Sequence, residues 1–383
     1  MNVPVPSERT VAGESRVAIA HDWLTGMRGG EKVLDALCEL YPGATLFTLV
    51  HVPGSVSPRI ESRPIRKNVS NWLPASRRFY RHYLPLFPTL VEWFDLDRFD
   101  LVISSSHCAV KSVVPPGAAL HVCYCHSPMR YAWDQFDSYF GVRQVGRVPH
   151  EVLRRVMARM ARWDAATARR VDGFVANSAY VAGRIRRYYN RGSIVVYPPV
   201  DTEFYRPTDA RRTETGFLVV SALVPYKRIE VAIEACRQIN APLTIVGQGP
   251  ELQRLRQLAG PEVRFAGWQS DEDIRALYQT ATAVVLPGVE DFGIVPVEAQ
   301  ACGCPVVATA AGGATESVID GETGFLVAEP TGDAFAEALG RVQRTNWDRA
   351  AIRRNAERFS RSTFKSGFAA AVGEIARTRE VAS

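Results

Sequence analysis

Short apolar runs without strict polar alternation recur along the chain, each closed by a tight polar turn and followed by a helical stretch. The first such unit is Arg16-Val-Ala-Ile-Ala-His21, the turn Thr25-Gly-Met-Arg-Gly-Gly30, and a helix from Glu31 to about Leu40. The pattern restarts at Gly216-Phe-Leu-Val-Val-Ser221, turns through Pro225 and continues as a helix from Ile229 to Ile239. Further strands are predicted at Leu101–Ser104, His121–Tyr124, Gly173–Asn177 and Ile194–Tyr197. Later ones fall at Leu243–Val246, Val263–Ala266, Ala283–Leu286, Pro305–Ala308 and Phe325–Val327. Runs of this kind fit strands covered by helices on both faces, hence parallel sheets in two α/β domains.

Tyr197 through Thr215 is rich in proline and charge and has no apolar period, so it reads as the connection between domains. The expected organisation is a first domain over 1–200, a second over 201–361, and a last helix over about 362–383 returning to the first. A length of 383 residues agrees with two domains at roughly 100–200 residues each. No fixed-period repeat or low-complexity tract is visible.

Composition narrows the class. With 46% hydrophobic and 22% charged residues the chain reads as an ordinary globular protein. No run approaches the ~18 apolar residues of a membrane span, and residues 1–15 lack the pattern of a signal peptide. The seven cysteines (38, 108, 123, 125, 236, 302, 304) form no secreted-type disulfide framework. A cytoplasmic location is therefore expected. Charge is uneven: residues 1–200 carry 26 basic and 16 acidic side chains, the remainder 20 and 24. A basic half of this kind points to an anionic partner, whether phosphate, nucleic acid or lipid headgroup.

The densest candidate chemistry is Gly288-Val-Glu290-Asp-Phe-Gly293-Ile-Val-Pro-Val-Glu298-Ala-Gln-Ala-Cys-Gly303. Pro296 suits the first turn of a helix, and Gly293 permits close approach of a ligand to the backbone. A helix beginning near Val295 would aim free N–H groups at an anion. Glu290 and Glu298 would then flank that start. Glu298 has two readings here: a ligand-binding carboxylate, or a first-turn acid that merely suits the helix dipole.

Glu290 and Glu298 stand as Glu-x7-Glu, and the surrounding segments resemble retaining glycosyltransferases of family 4, which have the GT-B fold of two facing Rossmann-like domains. The resemblance runs through Val219-Val-Ser-Ala-Leu-Val-Pro-Tyr-Lys-Arg228, Val246-Gly-Gln-Gly-Pro-Glu251, Arg264-Phe-Ala-Gly-Trp268, Pro305-Val-Val-Ala308, Gly312-Gly313 and Asp320-Gly-Glu-Thr-Gly-Phe-Leu-Val327. It covers nearly the whole chain, and the ordered set is specific where Glu-x7-Glu alone is weak.

The resemblance implies roles. Glu290 would bond hydroxyls of a donor sugar, and Glu298 the ribose. Backbone groups of Phe292, Gly293, Ile294 and Val295 would face sugar and diphosphate, with Lys227 as the phosphate cation. An arginine usually stands where this chain has Ala222, so Arg228 or a first-domain arginine is expected to substitute. Gly249 and the Arg264–Trp268 segment would lie near the base, although Trp268 fits interdomain packing equally well.

In the first domain the resemblance puts the loop of Gly29 and Gly30, beside Asp22, against substrate. His126, in Cys125-His126-Ser-Pro-Met-Arg130-Tyr131-Ala-Trp133-Asp134, would donate a hydrogen bond near the reacting sugar. Asp22, Gly29, Arg130 and Tyr131 are the acceptor-side candidates, whereas His21, His107 and His150 read as structural. This form of the motif looks most like O-antigen and exopolysaccharide mannosyltransferases that use GDP-mannose.

No metal or cofactor is expected. Asp95-Leu-Asp97 has the spelling of a cation motif of a different glycosyltransferase fold, and the cysteine pairs lack zinc spacing. Arg63 to Phe94 interleaves cations with Trp72, Phe79, Tyr80, Tyr83, Leu84 and Phe87. Such a stretch either lies at an anionic membrane or lipid-linked acceptor, or packs its aromatics inward. No nucleic-acid module is present.

The expectation is thus a metal-independent, retaining hexosyltransferase acting from GDP-mannose on a saccharide or lipid-linked acceptor, with UDP-glucose or another UDP-hexose as the alternative donor. A glycosidase would need paired carboxylates across one sugar. A nucleotide-sugar epimerase or a non-catalytic nucleotide-sugar-binding protein remain as further alternatives, the last because of Ala222.

Overall fold

The computed structural model describes residues 15–75, 80–141, 146–208 and 215–382. The chain divides into two compact units, one comprising Met1–Pro199 with Phe364–Ser383 and the other Val200–Thr363.

The first unit holds a seven-stranded sheet of β1 (Val17–Leu24), β2 (Thr45–His51), β3 (Ile65–Lys67), β4 (Leu101–Ser106), β5 (Leu120–Cys125), β6 (Gly173–Ala176) and β7 (Ser193–Val195). Its order is β3-β2-β1-β4-β5-β6-β7, and every pairing is parallel. The second holds β8 (Phe217–Val220), β9 (Leu243–Val246), β10 (Val263–Gly267), β11 (Ala283–Leu286), β12 (Val306–Thr309) and β13 (Gly324–Val327). Its order is β10-β9-β8-β11-β12-β13, again parallel throughout. Both sheets are therefore doubly wound, as the apolar runs predict. β11 and β12 are buried at every position, which explains why they show no alternation.

In each sheet the order reverses beside the strand that starts the unit, between β1 and β4 and between β8 and β11. In doubly wound sheets ligands bind outside the carboxyl ends of the strands at such a point.

The helix Arg361–Ala382 completes the first unit. Phe364, Phe368, Ala371, Val372 and Ile375 join the core formed by Ile103, Val122, Tyr124 and Val175. Gly173 makes this fit: a Cβ there would overlap the Ile375 side chain. Within the span read as the connection, residues 209–214 lie outside the described residues, and Val200 is buried and bridges to Ser360.

Candidate functional site

At the switch point of the second sheet, two loops are pressed together by glycines. After β8 the chain turns at Pro225–Lys227, and Arg228 adopts left-handed backbone at φ 51°. Gly288, in the loop after β11, lies on that turn; a Cβ would stand 2.6 Å from both Lys227 Cα and Tyr226 O. On the other side Gly313 N–H donates to Glu290 O at 2.9 Å, and a Cβ on Gly313 would overlap Phe292 Cα. Thus held, Lys227 Nζ forms an ion pair with Glu290 Oε1, their side chains 15% and 20% exposed. The two residues expected to meet phosphate and sugar stand together, partly shielded from water.

Arg228, at the end of the Pro225–Lys227 turn, is exposed and has no ion pair among the described residues. Gly293 takes φ 79°, a left-handed conformation that disfavours a side chain. Phe292 is buried against Phe359 at 5.5 Å, so only its backbone can face a ligand.

The helix predicted near Val295 runs Val295–Ala301 with Pro296 in its first turn. Glu298 is 4% exposed, and its Oε2 accepts from Tyr278 Oη at 3.2 Å. The carboxylate is thus anchored inside the domain rather than standing freely at the helix start. Burial, with the nearby Glu298 charge, pushes the Tyr278 hydroxyl well above its ordinary pKa, so it remains a donor. Nothing but the fold pointed to Tyr278.

The turn after β9 also depends on glycine. A Cβ on Gly247 or Gly249 would overlap the carbonyl of Ser221 or Leu223. Gly247 N–H donates to Gly267 O at 2.7 Å, so the end of β10 lies beside that turn and Trp268 follows it, 73% exposed. Trp268 is therefore no packing residue within its domain. A separate cavity of about 320 Å³ is lined by Arg264, Ala266, Gln269 and Asp273.

At the switch point of the first sheet stand three histidines, not one. His21 is in β1, His107 just past β4 and His126 just past β5. Their ring centroids are 6.0, 6.1 and 6.3 Å apart. Ser105 links His21 Nδ1 (3.1 Å) to His126 Nε2 (2.9 Å). Gly30 lies over this cluster: a Cβ would come within 3.5 Å of His21 Cε1 and 3.8 Å of His126 Nε2. Gly29 starts the helix Gly29–Leu40, whose Glu31 is buried facing His21.

Burial lowers the pKa of His126 well below the imidazole range, with His107, His21 and Arg130 adding to the effect. Burial also lowers that of His107, against the pull of Asp22. Strand order brings His21 and His107, read from the sequence as structural, beside His126. His150 instead bonds Phe140 O at 2.8 Å.

The reading of Asp22 is corrected. It is fully buried, and its carboxylate accepts the backbone N–H groups of His107, Cys108, Ala109 and Val110 at 2.7–3.0 Å. It caps a turn and does not face an acceptor. Arg130 stays close enough to the imidazoles for its charge to act on them. Tyr131 packs on the core and bonds the Cys108 thiol.

No group of three or more His, Cys, Asp or Glu suited to a metal occurs among the described residues, and none of their helices is long and apolar enough to cross a membrane. In the basic-aromatic stretch, Tyr80, Leu84 and Phe87 turn into the core, whereas Trp72 is 77% exposed. Its segment 76–79, with Phe79, lies outside the described residues.

Two doubly wound parallel-sheet domains of this kind are the halves of the GT-B glycosyltransferase fold. Residues 27–204 match the Glycosyltransferase Family 4 model, and residues 201–359 match Glycosyl transferases group 1; the chain carries both domains in that order.

Among curated proteins, the D-inositol 3-phosphate glycosyltransferase of Mycolicibacterium paratuberculosis is 33% identical over 191 residues, covering 44% of this chain and 43% of the relative. The Mycobacterium tuberculosis protein of that name is 36% identical over 171 residues, covering 39% and 36%. The match thus spans less than half the length of these relatives.

Among solved structures, Anabaena HepE in complex with UDP and glucose aligns with TM-score 0.69 at 20% identity, covering 94% of this chain and all of that one. Sucrose-phosphate synthase of Thermosynechococcus elongatus aligns with TM-score 0.66 at 19% identity, covering 97% of this chain and all of that one.

Proposed function

We propose that this protein transfers a hexosyl group from a nucleotide sugar to a hydroxyl of a saccharide or lipid-linked acceptor, with retention at the anomeric carbon and without a metal. The observation that carries the reading is the Lys227–Glu290 pair, fixed by glycine contacts at the switch point of the second sheet. Without donor, each group balances the other's charge. With donor, Lys227 turns to the diphosphate and Glu290 to the sugar hydroxyls.

Charge on the departing phosphate is then held by Lys227, with Arg228 in place of the arginine that Ala222 lacks. Glu298, steadied by Tyr278, takes the ribose. The leaving phosphate accepts the acceptor's proton, so no carboxylate nucleophile is needed. In the first domain His126 bonds a sugar hydroxyl, and Gly30 leaves the space beside it open.

GDP-mannose is the favoured donor, from the resemblance of the His126 segment. The base would stack on exposed Trp268, and since stacking is tolerant of base identity, a UDP-hexose remains the alternative. The curated relatives' names add a polyol phosphate to the acceptors worth assaying. Exposed Trp72, within the cation-rich stretch 63–94, supports peripheral contact with an anionic membrane on the inner, cytoplasmic face.

A thermal-shift panel of GDP-mannose, UDP-glucose, UDP-GlcNAc, UDP-galactose and the free nucleotides, with and without EDTA, tests the reading. Saturation at about 100 times Kd adds roughly 2.7 kcal/mol, or about 5–10 °C for domains of this size. A shift with one nucleotide family, unchanged by EDTA, is expected. Absence of any shift would overturn the donor site, and a shift that EDTA abolishes would overturn metal independence.

A further inference from the structure

One serine joins two imidazoles of the first domain. Ser105 Oγ has a single proton, so it donates to either His21 Nδ1 or His126 Nε2 and must accept N–H from the other. On the far side of His21, Nε2 is buried without a hydrogen bond and faces Glu31 Oε1 at 3.9 Å. The other carboxylate oxygen, Oε2, accepts the backbone N–H of Arg28 at 3.1 Å. Burial raises the Glu31 pKa, but the facing His21, then His107, outweigh it and the carboxyl settles below its ordinary value, hence ionised.

We propose that Glu31, His21 and Ser105 are positioning residues that decide which ring nitrogen of His126 carries the proton, and that in the neutral cluster they leave Nδ1 as a hydrogen-bond acceptor.

The sequence of constraints is short. Facing a carboxylate, neutral His21 keeps its proton on Nε2. Its Nδ1 is then a lone pair and takes the Ser105 proton. Ser105 Oγ in turn accepts from His126 Nε2–H, which leaves Nδ1 bare. No other side-chain hydrogen bond reaches the His126 ring from the described residues. Of the other charged groups around the cluster, Asp22 is taken up by backbone N–H groups and His107, and the Arg130 charge acts on the His107 and His126 imidazoles. A bare Nδ1 binds a group that donates, such as a sugar hydroxyl, and repels a phosphate oxygen. This reverses the expectation that His126 donates. The ligand's identity rests on the proposed function, whereas the position of the proton does not.

Glu31→Gln gives a sharp test. The amide oxygen stays with Arg28 N–H, so the NH2 group falls opposite His21 Nε2 and turns a positive N–H toward it, which favours a lone pair there. Every link then inverts, and the His126 proton moves to Nδ1. The measurement is a long-range proton–nitrogen spectrum of histidine rings in the full chain at about pH 8.5, two units above the ordinary imidazole pKa of ~6.5. His126 signals are assigned by their loss in His126→Asn.

Wild type is expected to show Nε2–H and Glu31→Gln to show Nδ1–H. Adding Ser105→Ala should cut the link, so that Glu31→Gln no longer moves the proton. Nδ1–H in the wild type, or a His126 pattern indifferent to Glu31→Gln, would overturn the proposal. Melting curves of each variant confirm folding. Failure of the donor reading would appear in the nucleotide panel and leave this spectrum unchanged.

Discussion

Replacing Gly288 with alanine adds one methyl group where the loop after β11 rests on the Lys227 turn of the proposed donor site. The new Cβ would stand 2.6 Å from Lys227 Cα and Tyr226 O and 2.9 Å from Lys227 C, whereas ordinary contacts begin at 3.4 Å. The turn Pro225–Lys227 must therefore retreat by about 0.8 Å, and because its obstacles are backbone atoms no side-chain rotation relieves them. Overpacking of this kind costs about 1–3 kcal/mol, which lowers Tm by roughly 2–12 °C. The functional cost is separate. If Lys227 holds the diphosphate as proposed, its displacement loses a charged hydrogen bond of about 1.5–3 kcal/mol and weakens donor binding roughly 10- to 100-fold.

Both effects are measured on the same variant, by melting and by calorimetric titration of the nucleotide sugar selected in the thermal-shift panel, well below Tm. Gly183→Ala is the control. Gly183 is exposed in the helix Ala179–Tyr189, with nothing within 4 Å of a built Cβ. That change should raise stability by about 0.5–1 kcal/mol and leave binding alone. If Gly288→Ala melts and binds donor like the wild type, the argument that this contact positions Lys227 is wrong.

Four other outcomes are expected. Glu298→Ala should weaken donor binding and also cost about 1–3 kcal/mol of stability, because the Tyr278 hydroxyl is left buried without its acceptor; donor affinity equal to wild type would exclude the ribose role. His126→Ala should lower turnover with donor Kd nearly unchanged, and a large rise in Kd would place His126 in ground-state binding instead. Arg228→Ala should weaken the free nucleoside diphosphate more than the nucleoside, a difference that shrinks with added salt; equal losses for both would remove Arg228 from the diphosphate.

Stability should also fall in acid. The folded pKa values of His107, His121 and His126 all lie below the unfolded ~6.5, with His121 lowered to about 4 by burial, against the pull of the Arg170 carbonyl and Asp172. The unfolded chain therefore binds more protons below pH ~6.5. The stability these groups contribute is complete above that pH and lost as pH falls toward 4, His121 alone accounting for about 3 kcal/mol. A Tm that stays flat from pH 6.5 to 4.5 would contradict the burial of these rings.

Much of this was legible in the sequence. Buried parallel strands announce themselves as apolar runs, and eleven of the thirteen strands lie where such runs predict them. β2 and β3 escaped because Thr45–His51 mixes threonine and histidine into its run, and Ile65–Lys67 is a three-residue strand with an exposed end. The residues of the glycine-bounded loops were visible, but their mutual grip was not. That Gly288 rests on Lys227 depends on β8 and β11 being neighbours, a fact of strand order. The histidine cluster was hidden for the same reason: His21 and Ser105 are 84 residues apart and meet only because β1 pairs with β4. Asp22 misled because a carboxylate beside a glycine loop looks available, while its acceptor sites are filled by backbone that sequence alone does not locate.

The return of the last helix has a consequence for how the protein matures. The segment synthesised first is not the segment finished first. Until residues 364–375 emerge, the first sheet keeps an uncovered apolar face along Val122, Tyr124 and Val175, whereas the second unit, running only to Thr363, has its whole sequence in hand. The later-made domain is thus complete in sequence before the earlier one, and a chain truncated after Thr363 would display that sticky face to chaperones. Supplying the missing helix in trans, as a separate peptide, would be a way to complete such a truncated half.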